Sequence, residues 1–90
     1  DSEWPEAWNK RATVFFLMKQ YTRSLRDIEK VLKIESRHFG ALSGQARIFI
    51  KTKEYEKAIV SLKKAIKIYP SFKSGELIPE IERLIKEESI

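Results

Sequence analysis

One spacing constrains this chain more than any other feature: 34 residues. The segment EYEKAIVSLKKAIKIY, residues 54–69, has apolar side chains at Tyr55, Ala58, Ile59, Leu62, Ala65, Ile66 and Tyr69. Gaps of three and four put them on one stripe of a helix. Lys57, Lys63, Lys64 and Lys67 lie largely off that stripe. Pro70 closes the segment, because proline drives the residue before it out of helical geometry. A shift back by 34 lands Tyr55 on Tyr21, Ile59 on Leu25, Leu62 on Ile28, Ile66 on Leu32 and Ile68 on Ile34. Upstream, Phe49 lands on Phe15, Ala46 on Ala12, Ala41 on Ala7 and Leu42 on Trp8. Agreement of small, aromatic and aliphatic classes along two whole helices marks a repeat.

Each repeat divides into two helices, predicted at 6–19 and 22–35, then at 39–52 and 55–69. The breaks, KQ at 19–20 and KTKE at 51–54, are short and polar. Short connections make consecutive helices antiparallel neighbours. The tail LIPEIERLIKE has apolar residues at Leu77, Ile78, Ile81, Leu84 and Ile85. It reads as a fifth helix with Glu80, Glu82, Arg83 and Lys86 facing out. Pro79 suits only a first helical turn, so this helix starts near 76–78 or is kinked there.

This pattern resembles the tetratricopeptide repeat (TPR) family, whose unit is 34 residues. The first repeat offers Trp8, Ala12, Phe15, Tyr21, Ser24, Ile28, Val31 and Ser36 at the family's signature positions. The second offers Leu42, Ala46, Phe49, Tyr55, Ala58, Leu62, Ala65 and Pro70. Arg11 and Gln45 depart from the usual leucine, Val31 from alanine and Ser36 from proline. The resemblance implies an all-α fold: antiparallel helix pairs in a right-handed superhelix, two repeats plus a C-terminal capping helix. The whole chain, 1–90, is then one domain, with repeat one at 5–38, repeat two at 39–72 and the cap at about 75–88. Two repeats are fewer than the three a stable array usually needs. Either the cap completes the core or neighbours are missing. Trp4 either covers the edge of the first helix or belongs against an earlier one.

Composition narrows the function. Ninety residues, 42% apolar and 34% charged, describe one compact domain rather than a disordered segment. The absence of cysteine removes disulfides and thiolate metal sites. It suits a reducing cytosol and agrees with a bacterial periplasm too. No apolar run approaches the roughly 20 residues of a membrane span, and no signal peptide is visible. The abrupt start at Asp1 is what a piece of a longer chain would show. The segment HFGALSG is similar to the terminal repeats of certain bacterial TPR proteins, some of them exported. The compartment is therefore cytoplasmic, or periplasmic if a longer chain carries an export signal.

No catalytic constellation is present. His38 is the only histidine, and the phosphate, zinc and calcium motifs are all missing. GALSG, residues 40–44, brushes against the GxSxG nucleophile elbow, which needs a strand before its serine. Ser43 falls inside a predicted helix instead. The reading is a non-enzyme with no cofactor and no metal.

By the resemblance, the first helices of successive repeats line a concave groove for a peptide or a partner's helix. Its expected residues are Glu6, Asn9, Thr13, Phe16 and Leu17 from repeat one. Arg37, Gly40, Ser43, Arg47, Ile50 and Lys51 follow from the junction and repeat two, with His38 beside them and Ser71 and Phe72 at the next junction. An apolar strip (Phe16, Leu17, Ile50) beside a basic edge (Arg37, Arg47, Lys51) suits an acidic segment or a carboxylate, which arginine binds bidentately. The family's carboxylate clamp wants Lys and Asn where this chain has Asn9 and Thr13, and Asn where it has Arg47. That specialised activity is not expected.

Two other partners stay open. The net charge is +5, and residues 51–73 hold seven Lys/Arg against two Asp/Glu. Nucleic acid could contact the surface from Lys51 to Lys67, yet no aromatic alternates with these lysines to stack bases. Self-association into a homo-oligomer could use Trp4, Trp8 and the Leu77–Ile85 face. Gly40 and Gly44, one turn apart, share a helical face. They leave room there for the preceding repeat's helix or for a partner's backbone.

Overall fold

The computed structural model describes residues 4–71 and 76–89. Within them lie five helices and no strand: α1 (Trp4–Leu17), α2 (Tyr21–Ile34), α3 (Phe39–Lys51), α4 (Tyr55–Ile68) and α5 (Leu77–Glu88). The predicted all-α architecture of consecutive helix pairs is observed: α1 packs on α2 and α3 on α4. Helix α3 also packs on α2 and α1, and α5 on α4. Phe72, expected at the second junction, lies outside the described residues.

The pairs close because small residues face each other at the crossing. Ala12 of α1 and Ser24 of α2 are buried, and the Ser24 hydroxyl donates to the Ala12 carbonyl at 2.6 Å. That bond requires the two backbones to approach closely, which bulkier side chains would prevent. The counterparts in repeat two, Ala46 and Ala58, are both 0% exposed. Two clusters form the core. One joins Ala12, Ile28 and Val31 of repeat one to Ala41 and Ile48 of α3. The other joins Ala46, Phe49, Tyr55, Ala58 and Leu62 to Ile81 of α5. Helix α5 therefore supplies an apolar face to repeat two.

The first helix sits two residues earlier than predicted, at 4–17 rather than 6–19. Its C-terminus is set by Lys19, whose φ is 61°. The Lys19 amide donates to Phe16 O at 2.9 Å and the Gln20 amide to Phe15 O at 2.8 Å. These are the paired bonds of a left-handed helix stop. Lys53 repeats it, with φ 61° and the Glu54 amide donating to Phe49 O at 2.8 Å. At the other end, Pro5 occupies the first turn of α1, where its missing amide is no loss. Helix α4 stops at Ile68, and Tyr69, ahead of Pro70, has left helical geometry at φ −135° and ψ 84°. Pro79 lies in the first turn of α5, so that helix begins at Leu77.

Candidate functional site

Helices α1 and α3 bound a cleft of about 360 Å³ of empty space open to solvent. Asn9, Thr13, Phe16, Gly40, Ser43 and Arg47 line it, all of them expected groove residues. Ala12, Ser24, Ile28 and Gly44 complete the walls. The repeat explains the convergence. Asn9 and Ser43 occupy the same position in successive repeats, as do Thr13 and Arg47.

Four other expected residues sit elsewhere. Leu17 ends α1 and is 71% exposed. Ile50 turns toward the second core cluster and packs there. Lys51 is exposed in the last turn of α3. Arg37 lines a separate hollow with Ser36, Leu42, Lys64, Lys67 and Ile68. Among the expected basic run, Lys57 is committed to Glu54 at 3.0 Å and lies over the Phe49 ring at 5.7 Å.

The two glycines have different neighbours. A Cβ on Gly44 would stand 3.4 Å from Ile28 Cδ1. That is ordinary contact with the end of a flexible side chain, so an alanine at position 44 would fit against the preceding repeat's second helix. A Cβ on Gly40 would meet Asn9 Nδ2 at 3.0 Å and His38 Cε1 at 3.1 Å. Gly40 keeps the cleft floor open beside Asn9.

Arg47 dominates the cleft's electrostatics. Its guanidinium lies 4.6 Å from the centre of the Phe16 ring. The ring's quadrupole attracts the cation, and the guanidinium donates no hydrogen bond to the protein among the described residues. Arg47 makes no ion pair among the described residues. Ser43 and Thr13 donate back to their own helix, to Gly40 O at 3.2 Å and Asn9 O at 3.1 Å. Their oxygen lone pairs remain available as acceptors. Phe16 is held from behind by Tyr21, with ring centres 5.6 Å apart. The arrangement offers a pre-aimed cation, an amide and two hydroxyls above a glycine floor.

Two structural roles were missed from sequence. His38 is the N-cap of α3: the Ala41 amide donates to its Nδ1 at 3.0 Å. A neutral ring accepting there carries its proton on Nε2, which meets Glu6 of α1. His38 therefore ties the second repeat to the first. The second role belongs to Arg11, which donates twice to Asp27, at 2.8 Å through each nitrogen. This fork raises the Arg11 guanidinium above its ordinary range, first through the hydrogen bond and then through the charge. The Asp27 side chain is only 3% exposed. One signal was available: 34 residues on, Gln45 accepts from Ser61 at 2.9 Å. The positions that depart from the usual leucine are those of an interhelical polar pair.

Among the described residues, no helix is long and apolar enough to cross a membrane. The family described as tetratricopeptide repeat matches residues 40–72. A TPR repeat-containing protein of Rhizobium etli is 40% identical over 74 residues, which is 82% of this chain and 36% of that protein. The chain thus spans about a third of the length of the curated relative it matches.

Proposed function

The chain belongs to the tetratricopeptide repeat family, whose repeats generally mediate protein–protein interaction, and we propose that it is a non-enzymatic binding module. Its α1–α3 cleft receives an extended segment of a partner protein through an acidic side chain or a terminal carboxylate. The observation that carries this reading is Arg47, over the Phe16 ring and without an ion-pair partner among the described residues. A planar guanidinium held this way matches a carboxylate bidentately. Asn9 and the hydroxyls of Thr13 and Ser43 then meet the peptide's backbone, and Gly40 lets that backbone come close.

The test is titration with a panel of acidic and C-terminal peptides, followed by NMR. The expected result is a shift of the Arg47 side-chain and Ser43 amide signals. Arg47→Ala should weaken binding by roughly tenfold or more, about 1.4 kcal/mol. A panel that leaves both signals still would sink the assignment.

A further inference from the structure

The two repeats bury the same helical stripe differently. On α3, Ala41 and Ile48 are 0% and 2% exposed, covered by α1 and α2. Their counterparts on α1 are Ala7 and Val14. Ala7 is exposed, and Val14 is 54% exposed. Trp4 and Met18 extend the stripe at 56% and 57%. Trp4, Ala7, Arg11, Val14 and Met18 follow a three-four spacing, so they form one line along the helix. Nothing among the described residues covers it.

The counterpart stripe tells what kind of surface fits, because on α3 it is met by helices. Charge tells which helix. Beside the stripe lies a hollow of about 510 Å³ lined by Arg11, Phe15, Arg23, Arg26, Asp27 and Lys30. Arg11 and Arg23 each stand 5.8 Å from the centre of the Phe15 ring, and Lys30 lies 5.8 Å over Trp8. Four cations surround one carboxylate, and that carboxylate is already gripped by Arg11. A second copy meeting this face with its own would bring like charges together, which is unfavourable.

We propose that the outer face of α1, with the basic hollow beside it, docks an acidic amphipathic helix. The partner helix would lay an aliphatic ridge along Trp4, Ala7, Val14 and Met18. Its carboxylates would reach Arg23, Arg26 and Lys30. This surface is separate from the α1–α3 cleft and does not depend on Arg47.

The chain has two tryptophans: Trp4 lies on this face, and Trp8, its ring centre 6.0 Å away and its plane tilted by 54°, packs against the core. Fluorescence of Trp4, read in a Trp8→Phe background, therefore reports this face. The probe is a synthetic helix of about 20 residues, with leucines along one stripe and glutamates flanking them. A lysine-flanked twin is the control. The expected result is a blue shift with the glutamate peptide and at least roughly tenfold weaker binding of the lysine twin. Val14→Asp and Arg26→Glu should each weaken the glutamate peptide by a similar factor. Both positions are exposed, so circular dichroism should show an unchanged fold. Equal response to both peptides, or none, overturns the proposal. So does a blue shift that appears on concentrating the chain alone, with sedimentation showing a dimer.

Discussion

The two repeats share a backbone plan and exchange their charges. In repeat one the interhelical pair is ionic, Arg11 with Asp27. In repeat two the same positions hold Gln45 and Ser61, a neutral pair. At the start of the second helix the order reverses. Repeat one has a neutral acceptor, Gln20, taking a bond from Arg23 at 3.0 Å. Repeat two has Glu54 bound to Lys57 at 3.0 Å. What differs around them is cover. Repeat two is packed on both sides, by repeat one and by α5, whereas the outer face of α1 meets nothing among the described residues. The lesson is that a repeat position fixes geometry, and its neighbour decides which side chain that position can hold. An arginine at position 11 can reach the buried Asp27 and still stand 54% exposed. Gln45, flanked on both sides, is only partly exposed and carries no charge.

The largest effect expected is at the paired stripe positions. Ile48→Ala opens a cavity between the repeats and should cost about 3 kcal/mol. Val14→Ala, the truncation to alanine at the counterpart site, should stay within about 0.5 kcal/mol. Urea unfolding of both variants checks this. Equal losses would mean that α1 is covered after all, and the contrast between the repeats would collapse.

Next in size is a swap of the interhelical pair. Arg11→Gln alone strands a buried carboxylate, with only Lys30 at 4.0 Å to answer it. The melting temperature should fall by several degrees. Adding Asp27→Ser converts the pair to repeat two's neutral version and should recover most of the loss. A double variant no better than the single would show that the ion pair itself, rather than the satisfaction of Asp27, holds α1 to α2.

Sequence reading reached the architecture because the repeat spacing is a periodicity of side-chain class, and class is what packing selects. It missed the end of α1 because nothing in a lysine announces positive φ. Lys19 and Lys53 are left-handed through the turn they close, not through their own preference. The cleft was half legible. Asn9, Thr13, Ser43 and Arg47, which the family resemblance places in a groove, line one cleft. Ile50 packs against the second core cluster instead, a contact set by the crossing of α3 and α4 that repeat register does not specify. Arg37 followed the interrepeat loop to another hollow. The Arg11–Asp27 fork needed the crossing of α1 and α2, which joins residues 16 apart.

Those two lysines provide the third comparison. A non-glycine residue in left-handed geometry costs about 1–2 kcal/mol. Glycine removes that strain and returns part of the gain as chain entropy. Lys19→Gly and Lys53→Gly should each stabilise by about 0.5–1 kcal/mol, measured by thermal unfolding. Equal gains would show that the helix stop is the one feature the repeats keep identical. A gain at one site alone would show that the flanking cover reaches even the turns.

The smallest effect concerns acid. Glu54 is held below the usual carboxylate range, first by the bond from Thr52 at 2.7 Å and then by the one from Lys57. A carboxylate lowered in this way adds stability above its unfolded value and loses it as pH falls through the folded one. Glu54 is half exposed, so the loss on acidification should be small. Melting temperatures taken from neutral pH down through the carboxylate range should show it, and Glu54→Gln should flatten that part of the profile. The reciprocal change, Gln20→Glu, would give repeat one the same carboxylate beside Arg23. It should become less acid-sensitive than Glu54, because Met18 stands where Thr52 does and supplies no hydroxyl. If Gln20→Glu reproduced the full sensitivity, the cation, not the hydroxyl, would set the carboxylate's affinity for its proton.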